Sequence, residues 1–299
     1  MTVGVWMASE GIWDIFALVL LELAAQACLH AAGQIFRNQV LIMNHIQAAG
    51  ELHTGWGRGI GRYWRQLRGR IPSACPLCEQ SSQGGLLCRY CCAYLQRSPQ
   101  AACVACGLDL SCLSVCPDCL ATDFVLEQTV CAFDYVFSGE LLIHRLKIQH
   151  RQELLAALAH YLYQCWLQAA IPMRAQLGWI AVPARKEAIR KRGFSPPAGL
   201  ARQLRYLSGA PDLSRYVAWK QEPTEQQKRL SRQARLMAMQ QAWYCRSDLS
   251  GRSVVLVDDV MTTGATLDSL ARVCLQAGAE QVFALVLART PYRVRAVTA

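Results

Sequence analysis

The sequence predicts an α/β protein: a parallel sheet flanked by helices, preceded by a small cysteine-rich unit. Three observations predict it. From about residue 123 onward, short apolar runs alternate with stretches of helical spacing, the pattern of a parallel sheet. One of these runs, Val254–Val257, ends in two adjacent carboxylates and then a turn rich in hydroxyls and glycine. Eight cysteines repeat one spacing twice, at an offset of 28 residues.

A chain of 299 residues has room for one large or two modest domains, and 53% apolar residues can fill a core. The net charge of +10 favours acidic partners such as phosphates, nucleic acid or an anionic membrane surface. Fifteen cysteines would suit a secreted disulfide scaffold, but their clustering, and an N-terminus without a basic stretch leading into a clean apolar core, point to a reducing cytosol. Residues 12–32 are apolar but interrupted by Asp14, Glu22, Gln26 and His30, which suits an amphipathic or accessory helix better than a membrane span. A mis-called start of the reading frame before Met43 is the alternative. Gly55, Gly57, Gly59 and Gly61 stand among Arg58, Arg62, Arg65 and Arg68 as a flexible basic segment. The expected division is an extension over 1–72, a cysteine-rich unit over 73–122 and the α/β unit over 123–299.

Cys75, Cys78, Cys88 and Cys91 form C-x2-C-x9-C-x2-C, and Cys103, Cys106, Cys116 and Cys119 repeat it. Four thiolates on two short knuckles suit a tetrahedral Zn²⁺ ion, so two structural sites are expected. Pairing within each repeat is the simpler arrangement, and an interleaved one is open. Pro76 and Pro117 stiffen one knuckle in each unit, and Gly107 supplies a tight turn. Closed sites of this kind serve folding and binding rather than catalysis. Cys92 and Cys112 lie off the repeat, as spectators or as substitutes for a neighbour. Cys131, Cys165, Cys245 and Cys274 read as core, and Cys28 belongs to the extension.

Along the α/β unit, residues 131–139 read as a strand and turn, 140–152 as a helix and basic turn, and 154–169 as an amphipathic helix. Residues 179–183 read as a strand ending at Pro183. Arg185, Lys186, Arg190, Lys191 and Arg192 follow it, either as a solvated face or as a receptor for diphosphate or a nucleic-acid backbone. Residues 198–207 are helical. The polar segment 222–235 reads as a surface helix or as a loop able to close over a ligand.

Val254–Val257 is short, β-branched and uncharged, like a strand buried on both faces. Asp258 and Asp259 end it, where open α/β sheets bind ligands. Thr262, Thr263, Gly264, Ala265 and Thr266 then lead into a helix over 267–276, with a final strand over 281–288. Helix-start amides are unpaired and partly positive, so a phosphate fits there. Two carboxylates beside a phosphate cradle suit a ribose diol and a Mg²⁺-bearing diphosphate.

These thirteen positions, Val254 to Thr266, resemble the phosphoribosyl diphosphate (PRPP) motif of type I phosphoribosyltransferases. The resemblance implies that the two acids hold the ribose hydroxyls and that the turn wraps the 5′-phosphate. Over about residues 73–291 the order of parts resembles the ComF/GntX family, which joins a cysteine ribbon to a type I domain. Leu142-Ile143-His144-Arg145-Leu146-Lys147 resembles the family's LIxxLK helix, which implies Lys147 as a phosphate contact. Val182-Pro183 with Arg190-Lys191-Arg192-Gly193-Phe194 resembles VP…RRGFNQ, and Arg192 joins Lys147 as a candidate for the leaving diphosphate. Ser195-Pro196 stands where the family has Asn-Gln. Thr224-Glu225-Gln226-Gln227, Leu230 and Arg235 resemble the family's flexible loop, with Ala238 where it prefers Asn. Both departures remove amide side chains, so the resemblance carries PRPP binding further than transferase chemistry.

The resemblance implies a role in competence and the uptake or use of DNA, with single-stranded DNA and uptake-machinery proteins as candidate partners. The cytoplasmic setting is the one the cysteine usage gives, with membrane association through such partners as an open alternative. Two other readings stand beside the competence role. One is a non-catalytic single-stranded nucleic-acid module regulated by PRPP or a nucleotide. The other is a nucleobase-salvage phosphoribosyltransferase.

Overall fold

The computed structural model describes residues 71–97, 101–111, 113–120, 123–171, 175–220 and 242–292. Residues 1–70 of the expected extension, with Cys28, and also Cys112 and the segment holding Thr224 to Ala238 lie outside the described residues.

The 28-residue offset recurs in the backbone of the two ribbons. In the first, Cys75 N donates to Gln80 O at 2.8 Å and Glu79 N to Cys75 O at 2.9 Å; in the second, Cys103 N donates to Leu108 O and Gly107 N to Cys103 O, both at 2.8 Å. Glu79 and Gly107 occupy the same left-handed position, at φ 63° and 65°. The second knuckles match as well: Cys92 N reaches Cys88 O at 2.9 Å, and Leu120 N reaches Cys116 O at 3.1 Å. Ribbon one adds the hairpin β1 (Pro72–Ala74) and β2 (Ser81–Gln83), then helix α1 (Arg89–Leu95). Ribbon two ends in the short helix α2 (Pro117–Leu120).

The α/β unit contains β3 (Thr129–Asp134), α3 (Phe137–Lys147), α4 (Leu154–Gln168), β4 (Gln176–Ala181), α5 (Lys186–Arg192) and α6 (Pro196–Ser208). The antiparallel pair β5 (Val217–Trp219) and β6 (Trp243–Cys245) follows, then β7 (Arg252–Met261), α7 (Ala265–Gln276) and β8 (Gln281–Arg289). Four strands form one sheet in the order β3-β8-β7-β4, every pairing parallel. All nine residues of β8 are buried, as expected of a central strand covered on both faces.

Each ribbon packs into a different core. Cys75, Leu87, Cys91 and Leu95 of ribbon one join residues of α3, α4 and α6 over Val255, Val257, Phe283 and Leu285. Cys106, Leu108 and Cys116 of ribbon two join α7 over Val254, Leu256, Val282 and Ala284. Strand residues alternate between faces, so the duplicated unit covers both sides of one sheet.

Several boundaries differ from the sequence reading. Helix α3 begins inside the expected turn and stops at Lys147, with the expected basic turn after it. The amides of Ile148 and Gln149 both return to His144 O, and His150 turns to φ 55°. Strand β4 starts at Gln176 because Gln176–Ala181 pairs residue by residue with Arg252–Val257. Helix α6 begins at Pro196, with Ser195 Oγ accepting from Ala198 N at 3.4 Å. Ser195-Pro196 is therefore a capped helix start, proline serving at a position that needs no amide. Strand β7 runs past the acid pair, since Val260 and Met261 still pair with Ala288 and Arg289. Of the four cysteines read as core, Cys274 is fully buried, while Cys131, Cys165 and Cys245 are half-buried against the two cores. Among the described residues no helix is long and apolar enough to cross a membrane.

Candidate functional site

Asp258 and Asp259 stand near the carboxyl end of β7, beside β8. Asp259 is buried, and its amide donates to Asp258 Oδ1 at 2.8 Å. Lys147, the last residue of α3, places Nζ 2.7 Å from Asp259 Oδ1. The lysine singled out for a phosphate thus meets the acid pair itself. Burial pushes the Asp258 carboxyl up to about 8, and the adjacent Asp259 carboxylate pushes the same way. The Asp259 amide and Lys147 pull against that rise. Two neighbouring acids share one nearby cation, an arrangement that favours a further positive charge or a hydroxyl donor.

After Met261 the chain turns through Thr262 and Thr263 to Gly264, at φ 77°, and α7 begins at Ala265. A side chain on Gly264 would collide with Met261 and would lie 2.7 Å from Phe124 Cε1, so both conformation and space call for glycine here. Helix α7 is tied down at its first turn. Asp268 accepts from Val125 N at 2.8 Å and from Arg272 Nε at 3.0 Å, and Arg272 also donates to Asp123 O. Thr266 is half-buried in the same turn.

Arg192 ends α5, beyond β4. Its Nε donates to Ala188 O at 3.3 Å, and its carbonyl lies 3.1 Å from His150 Nδ1, in the turn after α3. The end of the basic helix therefore meets the turn that follows Lys147, but Arg192 makes no described contact with the acid pair. The segment flanking residues 221–241 is anchored close by. Trp219 Nε1 donates to Pro183 O at 3.1 Å, Trp219 stacks on Trp243 with centroids 3.7 Å apart, and Lys220 N donates to Ala242 O at 2.7 Å.

The eight ribbon cysteines form two groups, Cys75, Cys78, Cys88, Cys91 and Cys103, Cys106, Cys116, Cys119, with all sulfurs of a group within 4.8 Å of one another. The pairing is sequential, not interleaved. Cys78 and Cys88 sulfurs lie 3.7 Å apart, Cys103 and Cys119 3.5 Å, and Cys106 and Cys116 3.4 Å. A tetrahedral zinc ion at ordinary Zn–S lengths spaces its sulfurs about 3.8 Å apart, so each group can hold a metal such as zinc. The amide of Cys91 beside Cys88 holds that thiol near 7, while burial pushes Cys106 up to about 12. Cys92 lies off the group and points its thiol at Leu87 O, 3.8 Å away.

One residue that matters here escaped the sequence reading. Arg289, the last residue of β8, is 1% exposed. Its Nη2 meets Asp118 Oδ2 at 2.6 Å and its Nε donates to Cys106 O at 3.0 Å, both in ribbon two. Its Nη1 donates to Thr262 O, to Thr290 O at 2.8 Å and more weakly to Met261 O at 3.5 Å. The one available signal was a charge closing a run of seven apolar residues, Val282 to Ala288.

Residues 188–298 match the model of the phosphoribosyl transferase domain. The chain is 31% identical over 226 residues to the DNA utilization protein YhgH of Salmonella typhimurium, covering 74% of this chain and 98% of that protein. The protein of the same name from Escherichia coli (strain K12) is 30% identical over the same shares of the two chains. Competence protein F of Haemophilus influenzae is 27% identical over 68% of this chain and 90% of its own.

Proposed function

Because the chain belongs to the ComF/GntX family, whose relatives carry the names DNA utilization protein and competence protein, we propose that it binds PRPP with Mg²⁺ at the carboxyl end of β7 and serves the use of imported DNA. The observation that carries this reading is the juxtaposition of the acid pair, Lys147 at 2.7 Å, and a left-handed glycine opening a twelve-residue helix. Asp258 and Asp259 would accept the ribose hydroxyls. The turn from Thr262 to Thr266 would hold the 5′-phosphate on helix-start amides and threonine hydroxyls. Lys147 and Arg192 would face the diphosphate. Mg²⁺ bound with the ligand would neutralise diphosphate charge. In a transferase, this set of residues would work by positioning and charge stabilisation, since the leaving diphosphate needs no protein nucleophile.

The same reading divides the described chain into ribbons up to about residue 122 and a phosphoribosyltransferase-like unit beyond. Zinc is the metal we assign to both cysteine groups, as structural ions. Thiols grouped for metal fit a reducing, cytoplasmic setting, with any membrane association supplied by uptake-machinery partners.

Titration calorimetry with PRPP and Mg²⁺ tests the site. The double variant Asp258→Asn/Asp259→Asn should bind about a hundredfold more weakly, the loss of two charge-assisted contacts of roughly 1.5 kcal/mol each. Unchanged affinity sinks the assignment. Release of diphosphate on adding nucleobases would move the reading towards salvage.

A second reading has its own observation. Tyr90 and Tyr94 stand one helical turn apart on α1, 69% and 71% exposed, with Arg89 4.6 Å over the Tyr90 ring. Exposed aromatics beside a cation are platforms for single-stranded bases. Single-stranded DNA binding that weakens steeply with salt and with Tyr90→Ala/Tyr94→Ala supports it; salt-insensitive binding rejects it.

A further inference from the structure

We infer that Arg289 is a positioning residue through which the second cysteine group sets the shape of the Thr262–Gly264 turn. This rests on the reading of that turn as a phosphate cradle.

A buried guanidinium persists only where its charge is paired and its donors are used. Arg289 meets that condition from two sides. One side is ribbon two, and both contacts there belong to the metal knuckles. Cys106, whose carbonyl accepts from Nε, is itself a candidate ligand, and Asp118 lies between the ligands Cys116 and Cys119. The two knuckles are the two halves of the arginine's socket, so whatever draws the four sulfurs together also fixes the socket. The other side is the start of the turn, where Met261 and Thr262 present their carbonyls to Nη1.

A second strut reaches the far end of the same turn. The segment leaving ribbon two offers Asp123 O to Arg272 and Val125 N to Asp268, in the first turns of α7. Phe124 between them fills the space a side chain at Gly264 would need. The turn is thus held at both ends by the ribbon and its trailing segment. Such holding pre-forms a binding loop and spares its ordering cost when ligand arrives. The coupling is reciprocal: ligand on the turn must tighten metal in the second group by the factor by which metal tightens ligand.

Hydrogen exchange on the full metal-bearing chain reads this without activity. Asp118→Ala should speed exchange of residues 261–268 about tenfold, with helix α4 unchanged, and weaken PRPP binding to a similar degree. Asp118→Asn, which keeps an acceptor for Nη2, should recover most of both. Asp118→Ala with normal exchange in α4 and an unaltered turn overturns the proposal. If that variant loses α4 protection as well, the wild-type chain decides. As a chelator opens the 103–107 knuckle, exchange of the turn should rise in step, and a loosened knuckle beside a quiet turn overturns the proposal. If wild type shows no PRPP binding, the phosphate reading fails, yet the exchange arms still decide whether the ribbon shapes the turn.

Discussion

In ribbon one the left-handed turn residue is Glu79, exposed to water; 28 positions later it is Gly107, with Thr129 and Cys131 where a side chain would go. The two ribbons share ligand spacing and knuckle hydrogen bonds, and they differ in how they are attached. Ribbon one is held from outside. Arg145 Nη1 donates to Pro76 O at 2.6 Å, and Tyr161 Oη to Cys92 O at 3.2 Å. Ribbon two holds a buried cation that also reaches the Thr262–Gly264 turn. A metal unit needs only its own four sulfurs to form, so duplication left the attachment of each copy open to change. In the proposed reading, ribbon one is a cover and ribbon two a wall of the site.

Arg289→Met tests this difference at its strongest point. It takes the guanidinium away from the buried Asp118 carboxylate and removes a donor from the Cys106, Thr262 and Thr290 carbonyls. The expected loss is about 3–5 kcal/mol, read from urea midpoints. A loss near 1 kcal/mol would place the two attachments on one footing. Gly264→Ala comes next. It forces a side chain into left-handed backbone and against Met261 and Phe124, at a cost of roughly 1–3 kcal/mol. PRPP affinity should fall with it. Arg145→Met removes one of the two anchors of ribbon one and should cost about 1 kcal/mol, since a partly solvated hydrogen bond to Pro76 O and a weaker one to Leu77 O are lost. A cost equal to that of Arg289→Met would mean ribbon one is no mere cover.

How far the sequence foretold this depends on where each partner lies along the chain. Ligand groups within each ribbon are local, and their spacing announced them. The acid pair, the turn and α7 are consecutive, so their order was readable as well. Arg289 is different: its partners Asp118 and Cys106 lie 171 and 183 positions away, and no local pattern links them. The extension of β7 beyond the acids depends on β8, and the stop of α3 at Lys147 on how two amides return to His144. Lys147 was identified by its helix motif, but its contact with Asp259 comes from the packing of α3 on β3 and β8. Ser195-Pro196 shows the opposite error: read against a family pattern it is a missing amide pair, and read locally it is a helix cap.

The smallest expected effect is a single proton, and it marks the limit of ribbon two's reach. The Asp258 carboxyl is raised from 3.8 to about 8 in the folded chain. Between those values the folded state holds a proton that the unfolded state has lost. Its contribution to stability is therefore full below about pH 4 and is lost as pH rises through about 8. A ligand that needs the carboxylate must expel that proton, about one per site at pH 7 and few above pH 9. Calorimetry in buffers of different ionisation enthalpy counts it. The charges that act on Asp258 are those of Asp259 and Lys147, and neither belongs to a ribbon. Removing metal from the second cysteine group should weaken the ligand while leaving the proton count as it was. A changed count would carry ribbon two's influence past the phosphate turn to the acids, and the division between wall and charge would fail.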